Sequence, residues 1–186
     1  MAEKEDLRSL LMRLEQLNEV GAALSRERDL GHLLELILDA AQALTGADGG
    51  TLYRMTEDRD ALRFVLMRTH SLQVRRGGRG EEPLHLPLLP LYLPDGSPNE
   101  HLVAVHAAVH DTTIAIDDAY DSTRFDFSGT RAFDERTGYR SRSFLTVPLK
   151  NHDGEIIGVL QLINATDALT GAVRSFSPAE RVGPRA

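Results

Sequence analysis

FDERTGYRSRSFLTVPLKNHDGEIIGVLQLIN, residues 133–164, contains two β-rich runs, 143–149 and 155–164, on either side of Asn151-His152-Asp153-Gly154. The Asp-Gly step favours a tight turn, so the runs predict an antiparallel hairpin. The second run, Ile-Ile-Gly-Val-Leu-Gln-Leu-Ile, is apolar almost throughout. A strand buried on both faces reads this way, which places it at the centre of a sheet. The residues leading into the hairpin differ in kind. From 125 to 143, polar side chains alternate with Phe125, Phe127, Phe133 and Tyr139. That mixture suits the wall of a small-molecule pocket, an apolar surface with a few orienting polar groups. It equally describes a solvated loop, and on physics alone the loop is the better reading.

Upstream, Ile114 and Ile116 begin an extended segment, and residues 97–110 read as a helix. Ser97 is placed to cap it, Pro98 fits its first position, and Glu100 is spaced to reach back to the Ser97 amide. Residues 71–97 are the least regular part. They hold the basic, glycine-rich Arg75-Arg76-Gly77-Gly78-Arg79-Gly80 and an apolar run broken by Pro87 and Pro90. The glycine-rich piece lacks the Lys-Ser/Thr of a phosphate loop and is expected to be a mobile loop. Two strands, 50–55 and 61–70, flank the polar turn Thr-Glu-Asp-Arg-Asp. Before them, Leu30, Leu33, Leu34, Ile37, Leu38, Ala41 and Leu44 form one wide apolar helix face, with Asp29 as its cap and Gly46 as its stop. A face this wide suits burial against a sheet.

The first helix has a narrower seam. Leu7, Leu10, Leu14 and Leu17, continued by Gly21 and Leu24, follow a 3.5-residue period. It either lies on its own domain or pairs with its twin in a homodimer, and the narrow seam favours pairing. Helices, hairpins and mixed segments in this order predict an α+β fold with a mostly antiparallel sheet.

A chain of 186 residues can bury roughly 70% of the surface its unfolded form exposes. Its 21 Lys and Arg against 28 Asp and Glu leave a net charge of −7. An acidic balance argues against nucleic acid or anionic membrane as partner, since both require clustered positive charge. The absence of cysteine removes disulfides, thiolate metal sites, cysteine nucleophiles and thioether-linked bilins together. No apolar run approaches the ~20 residues of a membrane span, and the opening Met-Ala-Glu-Lys-Glu-Asp is unlike a signal peptide. A cytoplasmic setting is the expectation.

Catalytic signatures are missing: no nucleophile elbow, Walker loop or dinucleotide-binding glycine pattern occurs. The steps His110-Asp111 and His152-Asp153 read as coincidences. His106 and His110 are four apart on the expected helix, a spacing that turns two imidazoles toward one metal. A third ligand would have to come from His101, Asp111 or a distant loop. Structural zinc normally takes four ligands and no cysteine is present, so partly exposed helix histidines are expected and a metal site is not.

Several motifs, in order, resemble a GAF domain of the type found in cyclic-nucleotide phosphodiesterases and bacterial signalling proteins. These are Asp134, Thr137-Gly138-Tyr139-Arg140, Pro148-Leu149-Lys150-Asn151 and Gly154-Glu155-Ile156-Ile157-Gly158-Val159. Upstream, Ile116-Asp117-Asp118-Ala119-Tyr120 is similar to the family's Ile-Pro-Asp-Ala-Tyr, and Leu44-Thr45-Gly46-Ala47-Asp48 to its junction between second helix and first strand. The resemblance implies a central antiparallel sheet of five or six strands, with helices on one face and a ligand pocket on the other. It turns the polar segment from loop into pocket lid. The implied ligand-binding residues are Phe133, Asp134, Thr137, Tyr139, Ser141 and Gln161, and Asp134→Ala is expected to weaken ligand without unfolding the domain.

Cyclic-nucleotide-binding members of the family also carry a late Asn-Lys, Phe, Asp-Glu signature, whose Lys–Asp salt bridge supports the pocket. Asn164 and Phe176 match that signature, but Ala165 stands at the lysine and Glu180-Arg181 at the acidic pair. The bridge cannot form, which argues against a cyclic nucleotide in the family's usual pose; no cofactor is expected. The resulting division is an N-terminal helix over 1–28, a GAF domain over 29–182 and a tail over 183–186. The expected role is that of a non-catalytic sensor in a bacterial-type signalling protein, binding a small molecule, with a phosphodiesterase, cyclase or kinase output in a longer parent chain. The alternative is a GAF-fold dimerisation scaffold that binds nothing.

Overall fold

The structure, a computed structural model, describes residues 12, 15, 17–19, 21, 30–78 and 84–181. Of the first helix, residues 12, 15, 17–19 and 21 are helical, with Met12 and Leu17 exposed. Leu7, Leu10, Leu14, Leu24 and Asp29 lie outside the described residues, as do Arg79, Gly80 and the tail.

Helix α1 (Leu30–Thr45) leads through Gly46, in the left-handed region at φ 65°, into strand β1 (Ala47–Met55). There follow β2 (Ala61–Thr69), β3 (Val74–Arg76), β4 (Leu89–Pro90), α2 (Val103–His110), β5 (Ile114–Ile116), α3 (Ser128–Thr137), β6 (Phe144–Lys150), β7 (Ile156–Thr166) and β8 (Val173–Arg174). The sheet runs β3-β2-β1-β7-β6-β5, with β4 added beside β2 and β8 beside β7. All its pairings are antiparallel. The apolar run at the end of the hairpin is β7, and it sits between β1 and β6. Burial on both faces is what its composition anticipates.

One sheet face carries Leu52, Leu66, Leu145, Leu160 and Leu162, packed with Leu38 of α1 and with Phe176. Gly50 allows this approach, because a Cβ there would lie 2.6 Å from Leu38 Cδ1. Over the other face, α2 packs on β6 and β7. Val103 and Ala107 join Phe125, Phe127 and Phe144 in one apolar cluster, while Ala104 and Val105 join Tyr53, Leu62 and Val159 in another. The sheet is therefore covered on both sides, and α2 and α3 contribute the covering on the face that holds the cavity.

Three local expectations differ. Ser97 does not start a helix; its amide donates to Asp95 Oδ1 at 2.9 Å and helix α2 begins at Val103. A carboxylate two residues back captured the amide, and Leu93 N–H donating to Ser97 O closed a turn instead. Part of the glycine-rich loop is strand: 74–76 pair with 67–69. The buried Arg68 guanidinium donates to the carbonyls of Arg76 and Gly77, which holds that edge down. Finally, α3 lies inside the polar segment read as a loop. Asp126 Oδ1 accepts from the Ser128 amide at its start, and Gly138, at φ 70°, closes its end.

Candidate functional site

Alternation along the central strands sets the floor of a cavity. Thr51 of β1, Gln161 of β7 and Thr146 of β6 are cross-strand neighbours, so their side chains share the face opposite α1. Tyr53 follows two residues after Thr51 on the same face. All four are buried. The Tyr53 hydroxyl donates to Gln161 Oε1 at 3.1 Å, and Gln161 Nε2 donates to Thr146 Oγ1 at 3.1 Å. A polar chain thus crosses the middle of an otherwise apolar face. Burial pushes the Tyr53 hydroxyl up, so it stays protonated and serves as a donor.

Above this floor, the start of α2 and the residues from Asp126 through α3 enclose about 520 Å³. The walls include Phe127, Phe133 and Phe144, with Arg136 among the charged groups. This volume lies within the range of small-molecule pockets, and the lining has their apolar majority with a few polar groups. Phe125 and Phe127 are buried against Phe144, Ile114 and Ala119, and they leave this space open.

Four of the residues singled out from sequence line the cavity: Phe133, Tyr139, Ser141 and Gln161. Asp134 and Thr137 do not belong to its lining. Asp134 is 3% exposed and is the buried residue of α3. Its carboxylate accepts from the Tyr120 hydroxyl, the Ser141 amide and the Ser141 hydroxyl, each at 2.8 Å. That arrangement ties α3 to the segment entering β6. Thr137 is exposed, and its hydroxyl donates to the Phe133 carbonyl one turn back in its own helix.

Tyr139 closes the end of the cavity nearest β1. Its hydroxyl donates to Asp48 Oδ2 at 2.7 Å, and the same carboxylate takes the amide and hydroxyl of Ser71. Burial, followed by the Asp48 bond, raises the Tyr139 hydroxyl well above the ordinary phenol range. Asn164 fixes the other side of this segment. Its side chain accepts from the amides of Arg142 and Ser143 and donates to the Arg140 carbonyl. Tyr53 and Arg136 were not singled out from the sequence, and Asp48 entered only as the last residue of the Leu44–Asp48 junction. Tyr53 had a signal, its alternation with Thr51 along a strand; Arg136 and Asp48 acquire their positions only when α3 and β1 meet.

Late in the chain, Arg174 and Glu180 form an ion pair. Arg174 donates from both terminal nitrogens to Glu180, at 3.0 and 2.8 Å, and the Ser177 amide donates to the same carboxylate. Burial alone would raise the Glu180 carboxyl, but these hydrogen bonds outweigh it and hold it down to about 2. Away from the cavity, Glu100, His106 and His110 are the described residues grouped closely enough to share a metal ion. No described helix is long and apolar enough to cross a membrane.

Residues 29–181 match the family model described as GAF domain. Over 63 residues, 34% of its length, the chain is 43% identical to the dual 3',5'-cyclic-AMP and -GMP phosphodiesterase 11A of Takifugu rubripes. Over 62 residues it is 39% identical to the dual phosphodiesterase 11 of Drosophila melanogaster. These matches span only 6% and 4% of the two curated relatives. Among solved structures, the GAF domain of an Acinetobacter phosphoenolpyruvate-protein phosphotransferase superposes with a TM-score of 0.61 at 16% identity, over 91% of this chain and 83% of that one. The free methionine-R-sulfoxide reductase of Neisseria meningitidis, solved in complex with its substrate, superposes with a TM-score of 0.58 at 18% identity, over 91% of this chain and 79% of that one. At these identities the likeness is one of fold.

Proposed function

The chain belongs to the GAF domain family, and from that premise we propose that it is a non-catalytic sensory module that binds a small molecule over the Thr51–Gln161 floor. The observation that carries this reading is the cavity itself. Phe125 and Phe127 pack against Phe144 at its wall rather than filling it, and leave about 520 Å³ between sheet and helices. In this reading Phe133 and Tyr139 supply apolar wall, while Ser141 and Gln161 present polar groups to the ligand. Asp134 and Thr137 act at one remove, by holding the lid. Ligand favours one position of α3 and so biases the helices on either side of the sheet. Signal then passes through a homodimer paired along the N-terminal helix to an output domain of a longer protein.

A thermal-shift screen with cyclic AMP, cyclic GMP, cyclic di-GMP, nucleobases and amino acids tests the reading. A ligand at 100 times its dissociation constant adds about 2.7 kcal/mol, a rise of roughly 5–10 °C for a chain of this size. The shift is expected to disappear in Gln161→Ala. A hit unchanged in that variant would place the ligand elsewhere.

The second reading, a dimerisation scaffold without ligand, draws support from the floor. Both ends of the Gln161 amide already have protein partners, so no ligand is needed to satisfy them. A flat screen together with a dimer in light scattering that Leu17→Glu dissociates would favour it.

A further inference from the structure

Sequence spacing brings His106 and His110 onto one face of α2 but offers no third ligand within the helix. The fold supplies one from the turn before it. Asn99, buried, donates its side-chain amide to the Pro90 carbonyl and its backbone amide to the Leu91 carbonyl. This pins the backbone at the next residue, Glu100. The Glu100 carboxylate lies 2.7 Å from His110 Nε2, and the two imidazole rings stand 4.4 Å apart, centroid to centroid. One ligating atom from each of Glu100, His106 and His110 lies within 4.8 Å of the others. Two ligands bound to one zinc ion lie about 3.4 Å apart, so side-chain rotations alone would complete the approach.

A second observation concerns the charge at this spot. The guanidinium of Arg124 lies 3.1 Å from His106 Nε2. An arginine has only N–H donors, so this contact makes the histidine nitrogen an acceptor, its lone pair turned toward Arg124. A cation thus already occupies the direction in which a metal would bind. Arg124 is exposed; besides His106 it touches the Phe125 ring, over which it lies at 4.9 Å, and it can swing away into solvent. Glu100 and His110 are also exposed, which leaves a path for entry and an outer coordination position for water.

We propose that Glu100, His106 and His110 form a site for a divalent transition metal of the zinc class. Two imidazoles and one carboxylate with an open fourth position are a donor set that zinc takes, and imidazole-rich sets also suit copper, nickel and cobalt. Binding replaces the Glu100–His110 contact with the ion and expels Arg124. Arg124 and Phe125 run directly into Asp126 and Phe127 of the cavity wall, which gives the site a physical connection to the sensory cavity.

The test is titration of the untagged, chelator-treated chain with Zn²⁺ by calorimetry and with Co²⁺ by visible absorption. One ion per chain is expected. His106→Ala and His110→Ala should each weaken binding by at least about tenfold, since loss of even an outer-shell partner costs 10–100-fold. Arg124→Ala should tighten it by removing the competing cation, and His152→Ala in the β6–β7 turn should leave it unchanged. Should His106→Ala fail to fold, the exposed His110 decides alone. No saturable Zn²⁺ binding, or binding that survives His110→Ala, would overturn the proposal, and so would Arg124→Ala weakening it.

Discussion

Replacement of Asp134 by alanine should destabilise the domain, and the size of the effect follows from what the carboxylate accepts. Two of its three partners are the amide and hydroxyl of Ser141, a residue 2% exposed. Without the carboxylate both become buried donors with no acceptor, at about 1–3 kcal/mol each. The third donor, the Tyr120 hydroxyl, is half-buried and can turn to water. A total near 3 kcal/mol is expected, and at about 2–4 °C per kcal/mol for a chain of this length the melting temperature should fall by roughly 6–12 °C. Asp134→Asn keeps one acceptor oxygen and the volume, so about half that loss is expected. Thr137→Val provides the contrast. It removes an exposed hydroxyl bonded within its own helix, and its effect should stay within about 0.5 kcal/mol. Far-UV circular dichroism melts, with urea unfolding as a check, measure all three. Alkaline titration gives an independent readout: the hydrogen bond from Tyr120 to Asp134, then burial, raises the Tyr120 hydroxyl, so Asp134→Ala should lower it. Asp134→Ala melting within 2 °C of the parent, roughly the scatter of a neutral surface substitution, would refute this reasoning. A loss of ligand response at unchanged stability would return Asp134 to the role of a ligand contact.

Three further outcomes follow from the same geometry. Glu180 has a folded value of about 2 against an ordinary 4.5; its depressed value means stability is complete above about pH 5 and lost as pH falls toward 2. With the partly exposed Arg174 screened by solvent, this contribution is at most about 2 kcal/mol; urea unfolding at pH 6 and pH 3 should show a loss of stability on acidification, and Glu180→Gln should shrink that loss by this amount. Tyr53→Phe leaves Gln161 Oε1 buried without its donor and should cost about 1–2 kcal/mol in the same assay. Gly50→Ala drives a methyl to 2.6 Å from Leu38 Cδ1 and should cost about 1–3 kcal/mol by separating α1 from the sheet, read as a lower melting temperature.

The parts legible in the sequence share a property: their signal is local and repeats. The apolar run of β7, the Asp-Gly turn before it and the wide stripe of α1 each report burial through period and composition. Gly46 marks the end of α1 because glycine adopts the left-handed conformation at little cost. Helix α3 was hidden because the cavity wall it forms requires little apolar surface, and its buried residue is an acid. The Ser97 signature failed because a capping box competes with any nearer acceptor, and Asp95 was nearer.

The amino-acid order by itself determined the α+β class and the identity of the central strands, since hydrophobic periodicity and turn chemistry act over a few residues, and its ordered motifs carried the resemblance to the GAF family. It also brought Phe133, Tyr139, Ser141 and Gln161 to notice. Only the tertiary structure decided which polar groups face the cavity and which face the protein. Asp134 turns inward to Tyr120 and Ser141 because a buried carboxylate must find donors wherever the packed chain presents them. Glu100 reaches His110, ten residues away, because Asn99 anchors the turn just before Glu100 to the strand edge. Orientation of this kind is set by partners distant in sequence, and no local pattern encodes it.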